Sequence, residues 1–268
     1  MTSLAILGAG KMGEALLSGL LRSGTPPADI LVSTRRDERA KALEETYGVA
    51  AVSTVDAATR ADMLLLAVKP QDMDALLAEI ADVVTPGQLI VSMAAGIPTS
   101  VIERQLPDGI PVVRVMTNTP ALVDEAMSAV SGGAHADEAH IARAEDVFRH
   151  VGKVVRVPEY QQDAVTAMSG SGPAYFYFLV EAMIDAGILL GLPRTVAADL
   201  MVQTAVGAAV MLRDSGEHPV RLREAVTSPA GTTINAIREL EKHGVRAAFL
   251  AAIEAARDRS RELAGGHN

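Results

Sequence analysis

The run Thr227-Ser228-Pro229-Ala230-Gly231-Thr232-Thr233, followed at once by Ile234, Ile237 and Leu240 at helical spacing, has the composition of an anion seat at a helix start. Proline fixes φ, Gly231 lets the backbone come close to a ligand, and first-turn N–H groups point outward with the positive end of the helix dipole. A carboxylate suits such a seat. On local pattern alone the same residues also read as a plain helix cap, because Ser and Thr are usual N-cap types.

A second anion-binding pattern lies at the N-terminus. Leu4-Ala5-Ile6-Leu7 reads as a short buried strand, Gly8-Ala9-Gly10-Lys11-Met12-Gly13 follows directly, and Leu16, Leu17, Leu20 and Leu21 carry a helix. G-x-G-x-x-G between a strand and a helix lets backbone approach a pyrophosphate, and the next apolar strand, Ile30-Leu31-Val32, stands at the proper distance. The reading is a dinucleotide-binding unit. The second strand ends in Ser33-Thr34-Arg35-Arg36 rather than in an acid. An acid there would bond a ribose 2′-hydroxyl and repel a 2′-phosphate, whereas hydroxyls and guanidiniums suit the phosphate, so NADPH is favoured. The bland alternative makes Arg35, Arg36 and Arg39 a solvated helix face with Asp37, Glu38 and Glu44.

These sites need a frame, and the rest of the chain supplies one. Apolar runs at Val49–Val52, Met63–Val68, Leu89–Val91 and Val112–Val115 alternate with helix-period segments, the pattern of a doubly wound parallel sheet. Runs at Met127–Val130 and Val154–Val157, flanking a helix-like stretch from Asp137 to His150, complete an edge. From about Pro158 onward the pattern is almost wholly helical. One helix is expected to start after Ser169-Gly170-Ser171-Gly172-Pro173 and run to Gly191, and another from Pro193 to about Asp214. Few charges fall between Ala174 and Met211, so these helices would leave apolar surface bare in a monomer, and a dimer through this region is expected. The fold class is therefore α/β, a Rossmann-type sheet domain over residues 1–158 followed by an all-helical domain over 159–268.

Composition removes other chemistries. The 268 residues include no Cys, so disulfides, thiolate metal sites and cysteine nucleophiles are excluded, and redox work must come from a bound cofactor. With net charge −9 and scattered basic residues, no nucleic-acid surface is expected. The histidines at 135, 140, 150, 218, 243 and 267 show no ligand spacing, so no metal is implied. Trp is absent, which removes a stacking surface for single strands or sugars. No apolar run reads as long enough to span a bilayer and the chain opens on its first strand without a leader, so a cytoplasmic protein is expected.

Four segments together resemble the pyrroline-5-carboxylate reductases, enzymes of the last step of proline biosynthesis. They are Gly8 to Gly13, Ala67-Val68-Lys69-Pro70-Gln71, Met168-Ser169-Gly170-Ser171-Gly172-Pro173-Ala174-Tyr175, and Val226 to Thr233. The resemblance implies reduction of 1-pyrroline-5-carboxylate to L-proline, with hydride passing from C4 of the reduced nicotinamide to the imine carbon. It implies NADPH, with NADH as the alternative, and no membrane or nucleic-acid partner. It also implies a homodimer through interlocked helical domains, each site drawing cofactor from one subunit and its substrate pocket from both, with dimers assembling to a decamer. By the same resemblance the cofactor residues are Gly8, Ala9, Gly10, Lys11, Met12, Gly13, Ser33, Arg35, Ala67, Val68, Lys69, Pro70, Ala94, Ala95 and Gly96. The substrate residues are Glu159, Gly231, Thr232 and Thr233, and Thr233 is the catalytic residue, its hydroxyl bonding the ring nitrogen.

Four positions depart from the family pattern: Thr117 stands for a proline, Ala230 for a glycine, Thr54 for an asparagine and Ala126 for a glycine. An alanine at a position needing φ > 0 would be strained, so an ordinary backbone region is expected at Ala230. The β-hydroxyacid dehydrogenases share the first motif, but they want a catalytic lysine in the helical part, and none occurs between Tyr160 and Glu241. A non-catalytic oligomerisation protein would have no reason for two close-approach loops, Ser169–Gly172 and Ser228–Thr233.

Overall fold

The computed structural model describes residues 3–265 of the chain, so the outermost ends of both expected domains, His267 included, lie outside the described residues. Strands β1 (Leu4–Leu7), β2 (Ile30–Ser33), β3 (Ala50–Ala51), β4 (Met63–Leu66), β5 (Leu89–Ser92), β6 (Val112–Met116), β7 (Ala126–Gly132) and β8 (Gly152–Arg156) form one sheet in the order 3-2-1-4-5-6-7-8. The ladders from β3 through β6 are parallel; β7 runs antiparallel to β6, and β8 parallel to β7. The helices are α1 (Lys11–Arg22), α2 (Asp37–Tyr47), α3 (Thr54–Arg60), α4 (Met73–Ile80), α5 (Thr99–Glu103), α6 (Glu138–Arg149), α7 (Gln162–Val165), α8 (Gly172–Leu189), α9 (Arg194–Asp214), α10 (Pro219–Ala225), α11 (Thr232–Lys242) and α12 (Val245–Gly265). The doubly wound sheet with a helical C-terminal region is as expected, and the two later strands do complete its edge.

The central strands are buried along their whole length, as continuous apolar runs in a two-sided parallel sheet must be. Alternate residues feed separate cores. Ile6, Val32, Leu65 and Val91 pack on one face with Leu16, Leu17, Leu20 and Phe148. Ala5, Leu7, Leu64 and Ile90 pack on the other with Ala57, Leu77 and Ile80. Strand order reverses between β1 and β4, which opens a crevice at the carboxyl edge. Register pairs Leu7 with Ser33 and with Leu66, and Leu66 with Ser92, so these strands end level. The loops that begin at Gly8, Thr34, Ala67 and Met93 therefore leave the sheet side by side.

Two compact units make up the chain, one comprising the described residues through Ser171 together with the segment from Ala256, the other Gly172–Ala255. In the second unit Phe176, Phe178, Leu189, Leu200 and Val206 are exposed on the isolated chain. The helices at 159–189 and 194–214 are long and apolar enough, by length and composition alone, to cross a membrane. That corrects the expectation that no segment is long enough. Scattered polar residues such as Gln203 and Thr204 break the apolar run without making the helix polar on average.

The helix expected after Ser169–Pro173 begins at Gly172, and further helical turns from Glu159 lead up to it. A π turn at Thr166–Gly170 joins α7 to α8. Pro173 has no N–H for the carbonyl of Ser169 four residues back. Asn118 supplies the missing donor, its Nδ2 donating to the Ser169 carbonyl at 3.1 Å, while its Oδ1 accepts from Met127 N–H at 3.1 Å.

Phe148, on α6, is fully buried against the sheet. Phe148→Ala should cost about 3–5 kcal/mol through lost transfer energy and a residual cavity. Denaturant titration of the purified protein checks this, and a cost below about 1 kcal/mol would show that the face is not packed as described.

Candidate active site

A cleft of about 650 Å³ opens at the carboxyl edge beside the strand-order reversal. Its floor is Gly8-Ala9-Gly10, and its walls come from Ser33 to Arg36 and from Ala67 to Lys69. Gly8 has φ +90°, and a Cβ there would fall 2.5 Å from Val68 Cγ1, so only glycine lets the β1 loop lie this close to the β4 loop. The Ser33 carbonyl accepts from the N–H groups of Gly8 and Ala9 at 2.9 and 3.1 Å and fixes the turn. Gly10 is the N-cap of α1, and no side chain caps it. The first-turn N–H groups of Lys11, Met12 and Gly13 thus have no intrahelical acceptor, which suits a pyrophosphate.

The structure brings Gly8, Ala9, Gly10, Ser33, Arg35, Ala67, Val68 and Lys69 to the cleft lining. Lys11, Met12 and Gly13 form the first turn of α1, and Pro70 begins a 3₁₀ turn ending at Asp72. Ala94, Ala95 and Gly96 follow β5 at the same edge but lie outside this cleft. Ser33 is buried, and its hydroxyl pairs with Thr54 Oγ1 at 3.0 Å, so the Thr54 departure braces a candidate phosphate ligand. Thr117 Oγ1 likewise accepts from the Ser128 hydroxyl at 2.9 Å, which satisfies the polar group that threonine adds where a proline is expected.

Arg35 is engaged in a way its sequence position does not announce. Its guanidinium donates two parallel hydrogen bonds, each 2.9 Å, to the carboxylate of Asp72. Arg39 donates to the Ala9 carbonyl at 3.3 Å and pairs with Glu14. Asp72 was missed in the sequence because an acid at a helix start reads as a cap.

Glu159 sits at the start of α5, where Pro98 offers no capping side chain. Its carboxylate accepts from Thr99 N–H at 2.7 Å and from Thr99 Oγ1 at 2.8 Å, and it faces Arg114 Nη1 at 3.5 Å. Arg114 lies buried in β6 with Asp163 at 3.8 Å. Burial lowers the guanidinium pKa from its ordinary value, against the opposing pull of Glu159 and Asp163, and arginine remains charged throughout. Asp163 also accepts from Ser260 Oγ at 2.8 Å, which fastens the last turns of α12 to α7. Glu159 thus belongs to the first compact unit, and Gly231, Thr232 and Thr233 to the second.

In the second unit, Gly231 N–H donates to the Ser228 carbonyl at 3.1 Å and closes a four-residue turn. Ala230 has φ +56°, which corrects the expectation of an ordinary backbone region: it occupies the third position of a turn with proline at the second, where a left-handed residue is required. A Cβ on Gly231 would lie 2.4 Å from Ser228 Oγ and 3.1 Å from the Ser228 carbonyl oxygen, so a side chain there would force Ser228 to turn away. Gly231 is the N-cap of α11 and no side chain caps the helix. The N–H groups of Thr232 and Thr233 therefore have no intrahelical partner. Neither Ser228 nor a threonine hydroxyl fills the cap position, which Gly231 occupies. Among the described residues no group of three or more His, Asp or Glu side chains could hold a metal ion.

The carboxyl-edge crevice, its glycine-lined floor and its uncapped helix define an α/β protein of the Rossmann dinucleotide-binding class. Residues 3–96 match the family described as NADP oxidoreductase coenzyme F420-dependent, and residues 159–263 match the pyrroline-5-carboxylate reductase dimerisation family. The pyrroline-5-carboxylate reductase of Corynebacterium melassecola is 45% identical over 98% of this chain and 99% of its own. That of Mycobacterium tuberculosis is 43% identical over 98% and 97%. Among solved structures, the reductase of Coxiella burnetii superposes with a TM-score of 0.91 at 35% identity, covering 98% of both chains. The Plasmodium falciparum reductase, solved with NADP bound, gives 0.89 at 27% identity, again over 98% of both. The chain belongs to the pyrroline-5-carboxylate reductase family.

Ala230→Gly should relieve about 1–2 kcal/mol of left-handed strain and lose part of that to unfolded-state entropy, for a net gain of about 0.5–1 kcal/mol. Thermal or denaturant unfolding measures it. A loss of stability would show that the turn does not hold position 230 in the left-handed region.

Proposed function

We propose that this chain reduces 1-pyrroline-5-carboxylate to L-proline, the last step of proline biosynthesis, with NADPH favoured over NADH. The observation that carries the reading is the uncapped start of α11, where a strained turn presents unpaired main-chain N–H groups beside a threonine hydroxyl. The glycine floor and uncapped α1 start fit a dinucleotide pyrophosphate, and Ser33 and Arg35 stand where a 2′-phosphate would be read. Bound NADPH supplies a hydride from C4 of its nicotinamide to the imine carbon. The chain's own residues position. The N–H groups of Thr232 and Thr233 hold the substrate carboxylate, which Gly231 lets approach the backbone, and Thr233 Oγ1 accepts from the protonated ring nitrogen, fixing the C=N bond. A threonine hydroxyl does not titrate near neutral pH, so Thr233 orients rather than transfers a proton.

Residues 1–158 serve as the dinucleotide domain in this reading, and 159–268 as the dimerisation and substrate domain. Homodimers bury the exposed apolar faces of α8 and α9, complete each substrate pocket and associate to a decamer. The same burial accounts for hydrophobic helices in a cytoplasmic enzyme without a membrane. Glu159, a substrate residue in this reading, caps the α5 start and pairs with Arg114.

Consumption of NADPH on addition of the cyclic imino acid, followed by absorbance, tests the activity. Thr233→Ala should lower kcat/KM by about tenfold to hundredfold, the loss of one hydrogen bond to a charged group. Absence of turnover by the native protein would end the reading, and native kinetics in the variant would remove Thr233 from it.

A further inference from the structure

The residue chosen to read the 2′-phosphate already holds an anion. Arg35 and Asp72 meet as a two-pronged pair across the cleft, with Arg35 reaching in from beyond β2 and Asp72 from the turn that follows β4. Such a fork uses the same two N–H directions by which arginine clamps a phosphate. Asp72 is also the N-cap residue of α4, yet its side chain makes no capping hydrogen bond there. Its carboxylate is directed to the cleft instead of to the helix it begins. The Arg35 side chain is 82% exposed and that of Asp72 only 23%, so the arginine is the partner open to an incoming ligand.

We propose that Asp72 is a specificity-determining residue, an internal anion that competes with the cofactor 2′-phosphate for Arg35 and so limits discrimination between NADP(H) and NAD(H). The inference rests on the placement of the 2′-phosphate at Ser33 and Arg35 given above. A dinucleotide with a free 2′-hydroxyl leaves the Arg35–Asp72 pair intact. One carrying a phosphate must draw the guanidinium away, and the unpaired carboxylate then faces a second anion in the same cleft. Arg36, which lines the cleft as well, does not offset this charge by pairing, since no acid side chain bonds it among the described residues. Because an exposed ion pair is weak and easily opened, the effect is a tuning of the cofactor ratio and not a block.

Calorimetric titration of the full-length native protein and of Asp72→Asn with NADP⁺ and with NAD⁺ tests the proposal. Asp72→Asn should tighten NADP⁺ binding by roughly three- to tenfold while NAD⁺ changes by less than about twofold. The difference should shrink at high ionic strength. Asp72→Glu, which restores the carboxylate, should return the ratio toward the native value, and in an Arg35→Gln background the gain from Asp72→Asn should shrink to what direct repulsion between the carboxylate and the phosphate supplies. A parallel change for both dinucleotides would mark Asp72 as a structural part of the α4 start and overturn the proposal, as would an unchanged ratio. Failure of the native protein to bind either dinucleotide would overturn both this proposal and the function on which it rests.

Discussion

In the proposed reading, the chemistry of this protein depends on backbone N–H groups that a helix cannot satisfy for itself. Both α1 and α11 begin on a glycine with no capping side chain, so each leaves first-turn donors and the positive end of its dipole for a ligand. Most helices close such ends with Ser, Thr, Asp or Asn. The chain does so at α3, where Ser53 accepts from Asp56 N–H, and at α6, where Asp137 accepts from His140 N–H. α2, α4 and α9 also start without a side-chain cap, so what sets α1 and α11 apart is the glycine at the N-cap, where a ligand can come close to the backbone. Neither seat needs a titrating side chain, which agrees with a reaction whose electrons come from a cofactor and whose protein part is orientation.

The sheet makes the first seat possible by ending several strands level. A one-residue slip between β1 and β4 would turn Leu7 and Leu66 out of the core they share, so apolar packing and loop alignment are fixed by one register. Farther along the sheet, a buried charge does related work. Arg114 draws Glu159 and Asp163 to β6, Glu159 in turn caps α5, and Asp163 holds Ser260 of α12. Arg114 Nη2 and Gln162 Oε1 stay buried without hydrogen bonds, so this network is held at some energetic cost.

Much of the frame was legible in the sequence because parallel strands buried on both faces are apolar along most of their length: β1 and β4 are so throughout, and β2 and β5 up to their closing serines. The ligand loops were legible because Gly8, Gly10 and Gly231 mark close approach of the backbone. What stayed hidden depends on partners distant in the chain. The Arg35–Asp72 pair joins residues 37 positions apart, and either residue alone reads as an ordinary surface charge. Ser169–Pro173 reads as a loop because the donor that lets the helix pass through it, Asn118, is 51 positions away. Ala230 concealed its left-handed backbone because the usual signal is glycine after proline, and here the turn is imposed by its closure on Ser228. The family resemblance was legible from four short motifs and is shown by similarity over nearly the whole chain.

The direct test of the central claim is a crystal structure of the protein with NADP⁺ and L-proline bound. The account requires the proline carboxylate within hydrogen-bonding distance of the main-chain N–H groups at the start of α11, and the pyrophosphate on those at the start of α1. A carboxylate held instead by a lysine or arginine side chain, with the α11 N–H groups facing solvent, would contradict it.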